Sequence, residues 1–175
     1  MSKAKKIAIC GAFCALLIAI QYVFNAVKGI ELVTLFFYAF CFSFGWTYGV
    51  LVAIAYTFLR CFIYGFFPAV IILYLIYYPL FAVVAHFAGK LLSNRSPIKQ
   101  VVFSSLICLF MTLIFTLLDD IVTPLFFSFD KKAFIAYFYQ SIPTCLIQCA
   151  CTVMTISFAF YPLKKAFTYL RKRVE

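Results

Sequence analysis

Gln140, Thr144 and Gln148 recur every four residues along an apolar run, so the three share one face of a helix. Two amides and a hydroxyl in line offer donors and acceptors suited to holding a small molecule. The other side chains able to take part are Gln21 and Asn25, Glu31 and Thr34, Arg60 and Tyr64, the tyrosines Tyr74, Tyr77 and Tyr78, and the pair Asp119–Asp120. Tyrosines stack on flat rings while amides and carboxylates fix their orientation, which is the chemistry of a binding pocket. Arg60 and one of the two aspartates either neutralise each other between helices or share a ligand. Tyrosine and charge also gather at membrane interfaces, so Tyr64, Lys28 and Asp130 fit either a pocket or an interface.

Motifs for bond-making chemistry are missing. There is no GxxxxGK[ST] phosphate loop, no HExxH or GxSxG, and no glycine-rich dinucleotide loop. The eight cysteines all lie in apolar segments without a CxxC pair, and the single histidine, His86, is distant from them. Cysteine here reads as a small apolar packing residue, and neither a metal site nor a cofactor is expected. His86 reads as a packed or interfacial side chain rather than a proton relay.

The elements that must position these residues follow from composition. Of 175 residues, 67% are hydrophobic and 11% charged, against roughly half apolar and a quarter charged in a soluble domain. Such a chain cannot cover its surface with polar groups in water, so its solvent is the lipid bilayer. Its length suits one domain. The net charge of +10 falls in short clusters between apolar runs, which marks loop anchoring charges and excludes a nucleic-acid surface.

A crossing helix needs about 20 apolar residues. The spacing predicts an all-α bundle of six transmembrane helices at residues 7–27, 31–44, 48–65, 68–89, 100–118 and 134–161. The first is read as a retained span, because Gln21, Tyr22 and Phe24 are too bulky for a signal-peptidase site. The long run after Glu31 breaks at Phe44-Gly45-Trp46, leaving a short second helix that is either little tilted or partly interfacial. Pro79, Pro143 and Pro162 are expected to kink helices or end them. With the N-terminus in the cytoplasm, Lys3, Lys5, Lys6, Lys90, Arg95, Lys99 and the basic run from Lys164 to Arg173 all lie inside. Lys28, Lys131, Lys132 and four of the five acidic residues lie outside. Both termini are therefore expected in the cytoplasm, and most of the polar side chains converge on the outer face. Asp119 and Asp120 fall at the edge of a loop on that side. The acidic excess there leans toward a neutral or cationic ligand, although Arg60 keeps an anionic group open.

Gly11, Ala15 and Ala19 form a smooth stripe on the first helix, of the kind that lets another helix approach closely in lipid. Taken with this stripe, the run Ile30-Glu31-Leu32-Val33-Thr34-Leu35, the tight Phe44-Gly45 turn and the segment from Asp119-Asp120-Ile121-Val122-Thr123-Pro124 through Ala136-Tyr137-Phe138-Tyr139, the chain resembles the substrate-binding S components of energy-coupling factor (ECF) vitamin transporters. The resemblance covers nearly the whole chain, with Gly11 standing where alanine is usual in the stripe. It implies a six-helix bundle of the bacterial plasma membrane that is not an enzyme. A vitamin-like small molecule would bind near the extracellular face, under the loops joining helices one to two, three to four and five to six. Gly11, Ala15 and Ala19 would meet a transmembrane coupling subunit joined to two ATPase subunits, and the whole bundle would tip to release its ligand.

The residues expected to bind substrate are Asn25, Glu31, Arg60, Tyr74, Tyr78, Asp119, Asp120, Gln140, Thr144 and Gln148. A stand-alone carrier or channel is the alternative, and it requires a polar path through the inner half, where Thr152 and Thr155 stand out. The halves of the chain do not match as an inverted repeat, which counts against that alternative. A membrane enzyme ranks last, since only Asp119 and Asp120 begin an acid–base cluster.

Overall fold

The computed structural model describes residues 3–24 and 32–174. Within them are six helices: α1 (Lys3–Phe24), α2 (Leu32–Phe44), α3 (Trp46–Tyr64), α4 (Pro68–Leu92), α5 (Pro97–Phe126) and α6 (Lys131–Val174). Five are long and apolar enough to cross a membrane, and α2, with 13 residues, is the short one. Large apolar side chains point outward along the long helices, among them Phe158 at 84% exposure and Phe62 at 75%. An all-helical chain with such a surface fits a membrane-embedded, multi-pass bundle.

Local chemistry explains the breaks. Gly45 and Gly65 both have φ near 95°, a left-handed geometry that is open to glycine because it has no Cβ. Pro68 and Pro97 open α4 and α5, where the missing N–H has no helical partner to lose. Pro79, Pro124, Pro143 and Pro162 lie inside helices and end none of them. Two helices accordingly outrun the spacing of apolar residues. α5 continues past residue 118 to Phe126, so Asp119 and Asp120 are helical residues and not the edge of a loop. α6 continues through Pro162 because Phe167 is buried, edge-on to Phe13 and Phe40, and anchors the last turns.

α2 lies at the centre, not at the surface: ten of its 13 residues are buried, and it packs against every other helix. The others follow one another around it in the order α1, α3, α4, α5, α6. The Phe13–Phe167 contact, with centroids 5.6 Å apart, bridges the two ends of that arc. Lipid is as apolar as the helix faces, so helices associate there through close packing rather than hydrophobic expulsion. Gly89 shows how close. A Cβ on it would sit 2.8 Å from the backbone oxygen of Phe42, whereas one on Gly11 would meet nothing within 4 Å.

Gly89→Ala should therefore push α4 off α2 and lower the unfolding free energy by about 1–3 kcal/mol, read by thermal unfolding in mild detergent. Gly11→Ala should leave stability unchanged or raise it by up to about 1 kcal/mol. Equal effects at the two sites would refute the close packing of α4 on α2.

Candidate functional site

α5 and α6 run antiparallel from the turn at 127–130, and hydroxyls and carboxylates face one another along the seam. Next to the turn, Tyr137 Oη donates to Asp119 Oδ2 (2.9 Å) and Thr123 Oγ1 donates to Asp119 Oδ1 (2.8 Å). One step further, Ser141 Oγ donates to Asp120 Oδ2 (2.8 Å). Toward the other end come Thr112 with Thr152 (3.2 Å), Ser105 with Ser157 (3.4 Å), and Lys164 Nζ donating to Gln100 Oε1. Each pair satisfies groups that hydrocarbon cannot.

Between the aspartate and threonine rungs the seam opens. A cavity of about 320 Å³ is lined by Phe115, Thr116, Asp119, Tyr137, Gln140, Ser141, Thr144 and Gln148, a size within the usual range for small-molecule sites. Thr116 turns its hydroxyl back to the Thr112 carbonyl (3.2 Å). Among the described residues the side chains of Gln140, Thr144 and Gln148 have no hydrogen-bond partner. No histidine, lysine or cysteine lines the space, and among the described residues no group of three His, Cys, Asp or Glu is placed to hold a metal ion. The chemistry on offer is hydrogen bonding, negative charge and two aromatic faces.

A second polar cluster lies on the other side of Phe115. The Arg60 guanidinium stands over the rings of Tyr64 (5.0 Å) and Tyr74 (4.6 Å). Tyr74 packs on Tyr56 and Tyr78, and Tyr56 Oη donates to Gln21 Oε1 (2.7 Å). The space beside Arg60 is too tight for a water molecule. Phe115 joins the two clusters. It lines the cavity, and its ring meets Tyr77 at 4.8 Å and Tyr74 at 5.8 Å.

Of the residues expected to bind substrate, Asp119, Gln140, Thr144 and Gln148 line the cavity, and Asp120 sits behind its wall, tied to Ser141. Arg60, Tyr74 and Tyr78 belong to the packed cluster behind Phe115. Asn25 and Glu31 lie outside the described residues. The pairing of Arg60 with Asp119 or Asp120 does not occur: α4 intervenes between α3 and α5, and tyrosine rings surround the guanidinium instead. Gly11, Ala15 and Ala19 are all exposed on α1. Sequence spacing passed over Tyr137, Ser141, Thr116 and Phe115. Tyr137 and Ser141 stand three residues before Gln140 and Thr144 and so border the same face, which the spacing of polar residues could have shown. Phe115 had no signal, since it is one apolar residue in an apolar helix.

Comparison of the chain with protein-family models, with characterised proteins and with solved structures gives no match.

If the closed rungs fasten the seam, Thr112→Val and Thr152→Val should be coupled. A double-mutant cycle followed by unfolding in detergent should give an interaction of about 0.6 kcal/mol, and no more than about 1.7. Strict additivity would show that the two hydroxyls do not meet.

Proposed function

We propose that this chain is a substrate-capture subunit that binds a small heterocyclic, vitamin-like molecule in the α5–α6 cavity and delivers it to an ATP-driven importer of the ECF type. The observation that carries the reading is the break in the seam. On either side of it side chains of α5 and α6 pair across the seam, whereas Gln140, Thr144 and Gln148 face open space without protein partners. Polar side chains at membrane depth are costly and mark sites. Orientation follows from charge. By the positive-inside rule Lys5, Lys6, Lys90, Arg95, Lys99 and the basic end of α6 are cytoplasmic, as are both termini, with all six helices crossing a bacterial plasma membrane. The cavity then opens toward the extracellular face. The exposed small-residue stripe of Gly11, Ala15 and Ala19 suits close docking of a coupling subunit, which links to two ATPases. The resemblance to ECF S components supports each of these roles.

A second reading draws on the rungs beyond the cavity. Thr112–Thr152, Ser105–Ser157 and Gln100–Lys164 carry polar contacts through the remaining length of the seam, the path a stand-alone carrier or channel would use. Uptake of a bound compound by proteoliposomes containing this chain alone, without ATP, would favour the carrier. The capture reading expects none.

Native mass spectrometry of the protein purified in mild detergent should show a stoichiometric bound compound of small-molecule mass. Gln148→Leu should weaken its binding at least about tenfold, the loss of one or two hydrogen bonds, with no change in unfolding temperature. Unchanged affinity would remove Gln148 from the site. Ala15→Trp should spare ligand binding and abolish co-purification of ATPase subunits from native membranes. Retained co-purification would sink the role of the stripe.

A further inference from the structure

The acidic pair at the cavity has an unbalanced charge. Asp119 receives hydrogen bonds from Tyr137 and Thr123, and Asp120 receives one from Ser141. All three donors are neutral hydroxyls. Asp120 is 3% exposed, yet its Oδ1 is buried without any hydrogen-bond partner. Among the described residues no lysine or arginine forms an ion pair with either carboxylate. Arg60, the nearest candidate from the sequence, is held against tyrosine rings behind Phe115. Lys131 and Lys132, at the start of α6, are exposed. An enclosed carboxylate is costly while charged. Asp120 is enclosed and off the cavity wall, whereas Asp119 is half-buried on that wall with only neutral hydroxyls as partners.

Geometry supplies what is missing. Asp119 lines the cavity directly, and Asp120 is linked to it through Ser141, which also lines it. The aromatic side chains of Phe115 and Tyr137 form part of the same wall, and aromatic faces attract cations as well as flat rings. The side chains of Gln140, Thr144 and Gln148 remain free for the ligand's other polar atoms.

We infer that the cavity selects an organic cation, a protonated amine or amidinium on a flat apolar body, with the charged nitrogen at Asp119 and the body against Phe115 and Tyr137. This rests on the capture reading and narrows it, because a neutral or anionic heterocycle would leave the Asp119 carboxylate on the cavity wall without a cation.

Three probes of nearly one shape separate charge from fit: benzamidine is a cation, benzamide is neutral and benzoate is an anion. Binding of each to the full chain in detergent micelles is measured by isothermal titration calorimetry. Benzamidine should bind at least about tenfold more tightly than either isostere, the scale of a charge-assisted hydrogen bond. Asp119→Asn should erase most of that preference. Gln148→Leu, which leaves the charge in place, should weaken binding while keeping the preference. The ratio between probes is a readout that a merely structural role of Asp119 would not move. Benzamide or benzoate binding as tightly as benzamidine, with the binding weakened in Gln148→Leu, overturns the cation assignment and leaves the capture site standing. A preference that survives Asp119→Asn overturns the assignment too. Failure of all three probes to bind overturns the cation assignment, while the capture reading stands or falls separately on the compound retained in native mass spectrometry.

Discussion

Burial of the short helix α2 governs how the other five are arranged. A 13-residue helix spans about 20 Å, less than the roughly 30 Å of hydrocarbon in a bilayer. It cannot behave as an independent lipid-facing span, and the fold resolves the difficulty by surrounding it. Small residues at the crossings, Gly89 against the Phe42 backbone and Gly49 against Cys41 and Ala82, bring α3 and α4 in close enough to do so. The large rings of Phe37, Tyr38 and Phe40 then fill the remaining space, and the one buried hydroxyl among them, on Tyr38, is satisfied by Ser104 of α5 at 3.0 Å. With α2 occupied by its neighbours, two surfaces are left over: the seam between α5 and α6, and the outer face of α1.

The seam obeys a different rule from the core. Around α2 cohesion comes from apolar shape, while between α5 and α6 it comes from paired hydroxyls and carboxylates placed at regular intervals. Interhelical hydrogen bonds in lipid are individually modest, about half a kcal/mol on average. Several in series fix the register of the two helices without locking them together. A threonine away from the seam, Thr57 on α3, returns its hydroxyl to its own helix, to the Ala53 carbonyl at 2.8 Å, and contributes no cross-link. The seam differs in carrying pairs that reach the opposite helix, from Asp119–Tyr137 to Gln100–Lys164, and the cavity falls between two of them.

Much of this was legible in the sequence because lipid imposes simple rules. Long apolar runs gave the helices, Gly45 gave one of the boundaries, and the spacing of Gln140, Thr144 and Gln148 gave one wall of the cavity. What was not legible depended on tertiary contact. Asp119 and Asp120 look like a loop edge when read alone. They are helical because Ile121, Val122 and Leu125 continue the apolar pattern beyond them and because their carboxylate oxygens accept hydrogen bonds from hydroxyls of α6. The role of Arg60 was ambiguous for the same reason, since an arginine in a span needs a partner and only the packing shows that the partners are rings. The central position of α2 left no trace beyond its shortness and its density of phenylalanine.

Phe115 belongs to two compartments at once. One side of its ring faces the cavity, and the other is in contact with Tyr77 and with Tyr74, which continues through Tyr56 to Gln21 on α1. In a close-packed interior a ring cannot turn without its neighbours giving way. A molecule wide enough to displace Phe115 would therefore also strain a relay of aromatic side chains that ends on the same helix as the exposed small-residue stripe. The ring that shapes the cavity thus stands at one end of an unbroken run of contacts whose other end, Gln21, is two residues from Ala19.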